Sequence, residues 1–107
     1  MKTGYAAALL VLLATPALAD AKKTSNGVVL ECTVTGSSKD GFDLTADNKS
    51  GSADRECTAT CKLSKGSSSL EKTYTKKVGK GFKAWMGGEG GVGGTVSNPN
   101  ITSGSCS

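Results

Sequence analysis

From residue 28 onward the chain alternates apolar and polar positions in short runs, separated by clusters of Gly, Ser, Asn and Asp. In VVLECTVT, Val28, Leu30, Cys32 and Val34 fall on one side and Glu31, Thr33 and Thr35 on the other, as a half-buried strand requires. FDLTAD repeats this with Phe42, Leu44 and Ala46 inward and Asp43, Thr45 and Asp47 outward. RECTATCKL is the most regular run: Cys57, Ala59, Cys61 and Leu63 share a face opposite Glu56, Thr58, Thr60 and Lys62. In LEKTYTKKV, by contrast, Leu70, Tyr74 and Val78 share their parity with Lys72 and Lys76, which predicts an edge strand wet on both faces.

The rest of the chain is less regular. GFKAWMGG sets Phe82, Ala84 and Met86 against Lys83 and Trp85, so a strand here turns the only tryptophan away from the core. Gly79, Gly81 and Gly87 mark where it bends or bulges. Residues 87–94, GGEGGVGG, read as a loop, and residues 95–107 as a closing strand or a tail tied down by Cys106. Residues 20–27 are polar and read as a flexible N-terminal arm. No helical period persists beyond residue 19, so the chain is expected to be all-β, with one β-domain over residues 28–107.

The first 19 residues have the three parts of a signal peptide: a basic Lys2, an apolar run from Ala6 to Ala14, and the small-x-small site Ala17-Leu18-Ala19. The run is shorter than the ~20 residues of a spanning helix, and Pro16 interrupts it. Cleavage before Asp20 leaves no membrane span and a periplasmic or secreted product of bacterial type. Large apolar residues are sparse in what remains, and export permits disulfides, so Cys32, Cys57, Cys61 and Cys106 are expected to form two bridges. In an extended strand the Cα atoms of Cys57 and Cys61 stand about 13 Å apart. A disulfide needs about 4.4 to 6.8 Å, so these two are not bonded to each other. Both 32 with 57 plus 61 with 106, and 32 with 61 plus 57 with 106, remain open.

Charge changes the picture by its distribution. The 13 Lys and Arg against 9 Asp and Glu make a mild excess, but Lys62, Lys65, Lys72, Lys76, Lys77, Lys80 and Lys83 face only Glu71 in their stretch. Lysines guarding a sheet edge account for this without any partner. The alternative is a binding face for an anionic glycan, lipid headgroup or protein, made by Lys72, Lys76, Lys77, Lys80 and Lys83 near Trp85. Nucleic acid is not expected as a partner.

Catalytic and cofactor chemistry finds little footing. The chain has no histidine, and C-x3-C matches neither a redox nor a zinc spacing. Gly88 to Gly93 matches G-x-G-x-x-G, yet no β-α-β unit fits around it. Asp40, Asp43, Asp47 and Asp54 suggest a calcium loop, but Lys49 and Gly51 stand where oxygen ligands belong. No catalytic residue, metal or cofactor is therefore expected. Asn48 and Asn100 head glycosylation sequons, which matter only in a eukaryotic pathway.

GFDLTADNKSG and the strand after it, residues 41–63, resemble small bacterial immunoglobulin-like sandwiches through the pattern F-x-L-x-x-x-N-x-S-G. From VVLECTV to NPNITSGSC the chain is similar to small exported, cysteine-containing proteins of Gram-negative bacteria to which no activity is assigned. The resemblance implies a small immunoglobulin-like β-sandwich without catalytic residues. Two features depart from it: an immunoglobulin domain has one central inter-sheet bridge where two are expected here, and the tryptophan falls late in the chain. The functional expectation is an exported, non-enzymatic domain that binds an anionic envelope or extracellular partner. The alternative is a small secreted effector, such as an enzyme inhibitor or a cationic antimicrobial protein.

Overall fold

The computed structural model describes residues 20–107; the expected signal peptide lies outside the described residues. Seven strands follow one another: β1 (Asp20–Ser25), β2 (Val28–Thr35), β3 (Gly41–Asp47), β4 (Arg55–Lys65), β5 (Ser68–Val78), β6 (Lys83–Glu89) and β7 (Val96–Cys106). They form a four-stranded sheet, β1-β2-β3-β6, and a three-stranded sheet, β5-β4-β7, with every pairing antiparallel. The chain is thus all-β with two sheets, but its strand order is not the immunoglobulin one expected. There the second and third strands lie in different sheets, whereas β2 and β3 pair as a hairpin.

The alternation sets which faces meet. Val28, Leu30, Cys32, Phe42, Leu44 and Ala46 from one sheet, and Cys57, Ala59, Cys61 and Leu63 from the other, are all 1 % exposed or less and make one core with Val78, Met86, Val96 and Cys106. β4 is central in its sheet and holds both bridges. Cys61 joins Cys32 of β2 across the two sheets, while Cys57 joins Cys106 of its neighbour β7 within one sheet. Cys57 and Cys61 are not bonded to each other, and no cysteine is free. Only one bridge is therefore inter-sheet, not two. Glu56 and Ser107 exchange two backbone hydrogen bonds of 3.0 and 2.9 Å. Cys57 and Cys106 form the next pair, whose side chains converge, with Cα atoms 4.0 Å apart.

Two segments differ from expectation, and a third takes one of its two expected forms. The arm at residues 20–27 is mostly strand β1, which pairs along β2 from Asp20↔Thr33 to Ser25↔Val28. Its side chains are too polar to show an alternation, and what orders it is backbone pairing closed by a two-residue turn. Asn26 and Gly27 both have positive φ, 48° and 81°, the conformation that makes Asn-Gly a hairpin signature. Ser25 Oγ then accepts the Cys106 N–H at 3.0 Å, fixing β1 to the end of β7.

In the second segment, Gly87 to Glu89 belong to β6 rather than to a loop. Leu44 pairs with Gly87 and Thr45 with Trp85, so Met86 is the extra residue of a bulge, and Phe82 lies outside the strand, 68 % exposed instead of inward. The third, residues 95–107, resolves as a closing strand. Pro99 is tolerated because β7 is an edge of its sheet.

Candidate functional site

Trp85 is 58 % exposed and, with Phe82, is one of two large apolar residues so exposed among the described residues. It stands on the outer face of β6, and the register of the four-stranded sheet gives its surroundings row by row. Its own row runs Trp85, Thr45, Glu31, Lys22. On one side lie Lys83, Asp47, Val29 and Thr24, and on the other Gly88, Asp43, Thr33 and Asp20. Successive strands are about 4.8 Å apart, so a row spans roughly 14 Å.

The indole is held in place. Trp85 Nε1 donates to Asp43 Oδ1 at 3.0 Å, a diagonal contact between neighbouring strands. Gly88, opposite Asp43, makes it possible: a Cβ there would stand 2.7 Å from that carboxylate oxygen and overlap the Phe42 carbonyl. Charges on this face are mixed, since Lys22 is the register partner of Glu31, and Lys83 of Asp47. The Glu31 carboxyl is raised above its ordinary range, first by a hydrogen bond with Asp20 and then by burial, with Lys22 and Lys83 opposing.

The expected lysine cluster is not gathered around Trp85. Lys72, Lys76 and Lys77 lie on β5, in the other sheet. Lys72 Nζ is 3.1 Å from Glu89 Oε2, and Lys77 is the register partner of Glu56. Lys80 is exposed in the turn between β5 and β6, where its N–H donates to Asp54 Oδ1 at 2.9 Å. Of the five expected lysines, Lys83 alone shares the Trp85 face.

The outer face of the three-stranded sheet is of another kind. Thr58 and Thr75 are hydrogen bonded at 2.9 Å, Thr60 and Thr73 at 2.7 Å, and Ser103 donates to Thr60 at 3.2 Å. These hydroxyls serve one another, as cross-strand Thr pairs do. The acids are also dispersed: Asp43 holds Trp85, Asp47 accepts the Lys49 N–H and Asp54 that of Lys80. Among the described residues no three metal-type ligands converge.

Asn48, the first sequon residue, is fully buried, and its Nδ2 donates to the carbonyls of Ala53 at 2.9 Å and Val78 at 3.2 Å. It joins the end of β3 to the end of β5, which explains the F-x-L-x-x-x-N-x-S-G pattern as packing and not as a site. Asn100, by contrast, is exposed.

Trp85 points outward, as its parity in GFKAWMGG predicts, whereas Asp43 and Thr45 are neighbours that the sequence does not reveal. Both stand at outward positions of FDLTAD, yet nothing local says that β6 pairs beside β3. Comparison with protein-family models, curated proteins and solved structures finds no match to this chain.

Proposed function

We propose that the protein is an exported, non-enzymatic binding domain whose contact surface is the outer face of the four-stranded sheet around Trp85. The observation that carries this is an exposed tryptophan whose ring is already fixed by Asp43. A side chain ordered before binding loses little further freedom on contact, and tryptophan supplies a large apolar area with few rotatable bonds. Export, to the periplasm or the exterior, is supported by the leader pattern of residues 1–19 and by two disulfides in one small domain. A non-enzymatic role is supported by the absence of histidine and by the structural duties of Asp43 and Asp54.

An anionic partner held by lysines is the less favoured reading, because Lys72 and Lys77 have acidic counterparts and Trp85 stands beside a carboxylate. The test is retention of separated protein, lipid and polysaccharide fractions of a bacterial envelope on immobilised wild type, Trp85→Ala, and a Lys76→Gln/Lys77→Gln/Lys80→Gln variant. Retention that is lost with Trp85 and kept in the lysine variant is expected. The opposite pattern overturns the assignment of the face.

A further inference from the structure

We infer that the ligand of the Trp85 face is an uncharged saccharide chain, an inference that rests on the contact surface proposed above. Its basis is the complementarity of the three cross-strand rows. A sugar ring offers an apolar C–H face and a polar rim, and so needs an aromatic plate beside mixed donors and acceptors. Trp85 is such a plate, with more than half its surface free and its edge anchored. The negative face of an indole attracts the positively polarised C–H bonds of a ring laid on it.

Beside the plate, acceptors and donors interleave. Thr45 is its direct register partner, Glu31 and Lys22 continue that row, and Asp47 with Lys83 flanks it. Opposite charges sit across from one another in both places, so the face offers hydrogen bonds in both directions, with four carboxylates set among two ammonium groups. A polyanion meets Asp43, Asp47, Glu31 and Asp20, and a polycation meets Lys22 and Lys83. An uncharged polyol meets neither penalty, because hydroxyl groups donate to the carboxylates and accept from the ammonium groups. From Trp85 an extended chain can follow the row over Thr45 toward Glu31 and Lys22. The row length, roughly 14 Å, is that of a short oligosaccharide.

The alternative surfaces carry less. The hydroxyls of the three-stranded sheet are largely occupied with one another. The hollow lined by Asp54, Arg55, Glu56, Lys77, Val78 and Gly79 holds two acids and two bases with no aromatic among them.

The test is calorimetric titration of residues 20–107 with linear oligomers of glucose, of N-acetylglucosamine and of galacturonic acid. At least one of the two uncharged series binds, about tenfold weaker in Trp85→Ala and several-fold weaker in Thr45→Val, since a tenfold change is about 1.4 kcal/mol, the scale of one aromatic stack. Raising salt from about 0.05 to 0.5 M changes that affinity less than about twofold, because no net ion pairing is involved. Tighter, salt-sensitive binding of the galacturonic oligomer overturns the uncharged class. If no oligomer binds while an envelope protein or lipid fraction is retained through Trp85, the saccharide is wrong and the contact face stands. If an oligomer binds equally well to folded Trp85→Ala and Thr45→Val, both the ligand class and the face are wrong.

Discussion

The side-chain oxygen of Asn48 fills the space in which a Cβ on Gly51 would stand. The close approach folds the 48–54 loop back on itself, with the Gly51 N–H donating to the Asn48 carbonyl at 3.0 Å. The same carbonyl accepts the Gly81 N–H at 2.9 Å, and the Asn48 N–H donates to the Phe82 carbonyl at 2.8 Å, so one buried residue positions the turn that leads into β6. Asn48→Ala strips the Ala53 and Val78 carbonyls of their partner and is expected to cost about 3 kcal/mol in denaturant unfolding. Gly51→Ala is expected to cost about 2 kcal/mol or more, through overlap rather than lost bonding. Expression in a glycosylating host should leave folded protein unmodified at Asn48, whose amide is buried and donating. Intact mass and peptide mapping read this out.

The two bridges make distinct predictions. Peptide mapping of unreduced protein should yield the pairs 32 with 61 and 57 with 106, which close sequence separations of 29 and 49. On chain entropy each contributes about 4 kcal/mol, so either double Cys→Ala variant should lose a large part of the domain's stability. Where the loss appears should differ. Without Cys57–Cys106, amide exchange should rise first along β7, which pairs with β4 alone in its sheet; without Cys32–Cys61, protection should fall in both sheets together.

Tyr74 is the only tyrosine after residue 19, which makes its titration readable by ultraviolet absorbance. Its hydroxyl is pushed above the ordinary value of 10.0 by burial first and by the negative charge of Glu89 second, with Lys72 opposing. A midpoint above 10.0 is expected in folded protein; Glu89→Gln should lower it and Lys72→Gln raise it. Because the unfolded tyrosine loses its proton first, the stability associated with this group is present below pH 10 and falls as pH rises through the folded-state value. Thermal midpoints across that alkaline window check the sign.

Much of the framework was legible in alternation alone. Cys57, Ala59, Cys61 and Leu63 share a buried face, Phe42, Leu44 and Ala46 another, and β5 is an edge strand as its parity of lysines implied. The separation of Cys57 from Cys61 also followed from strand geometry. What alternation could not supply was pairing between distant segments. Nothing in GFKAWMGG states that it lies against β3, so Asp43 and Thr45 were not visible as neighbours of Trp85. The lysines are near in sequence but not gathered in space, because β5 and β6 belong to different sheets. β1 was missed because a polar strand is held by its backbone; the Asn26-Gly27 turn was the local signal that could have revealed it.

The fixing of the indole has its own test, since the protein has a single tryptophan. Asp43→Ala should remove the acceptor of Trp85 Nε1 while leaving the buried core untouched. Faster exchange of the indole N–H and faster fluorescence anisotropy decay are expected, with a thermal midpoint lowered by no more than about 4 to 8 °C, as befits an exposed contact of about 1 kcal/mol. Gly88→Ala should reproduce the indole signature by displacing the Asp43 carboxylate, with a larger fall in thermal midpoint because the added Cβ also overlaps the Phe42 carbonyl.

The most direct measurement is a nuclear magnetic resonance shift map of residues 20–107 titrated with the envelope fraction or oligosaccharide that the protein retains. Shifts are expected to concentrate on Trp85 and its indole N–H, Thr45, Asp43, Glu31 and Lys83, all on one face of the four-stranded sheet. Shifts concentrated instead on residues 72–80, or on the Thr58, Thr60, Thr73 and Thr75 face, with Trp85 unmoved, would contradict the account.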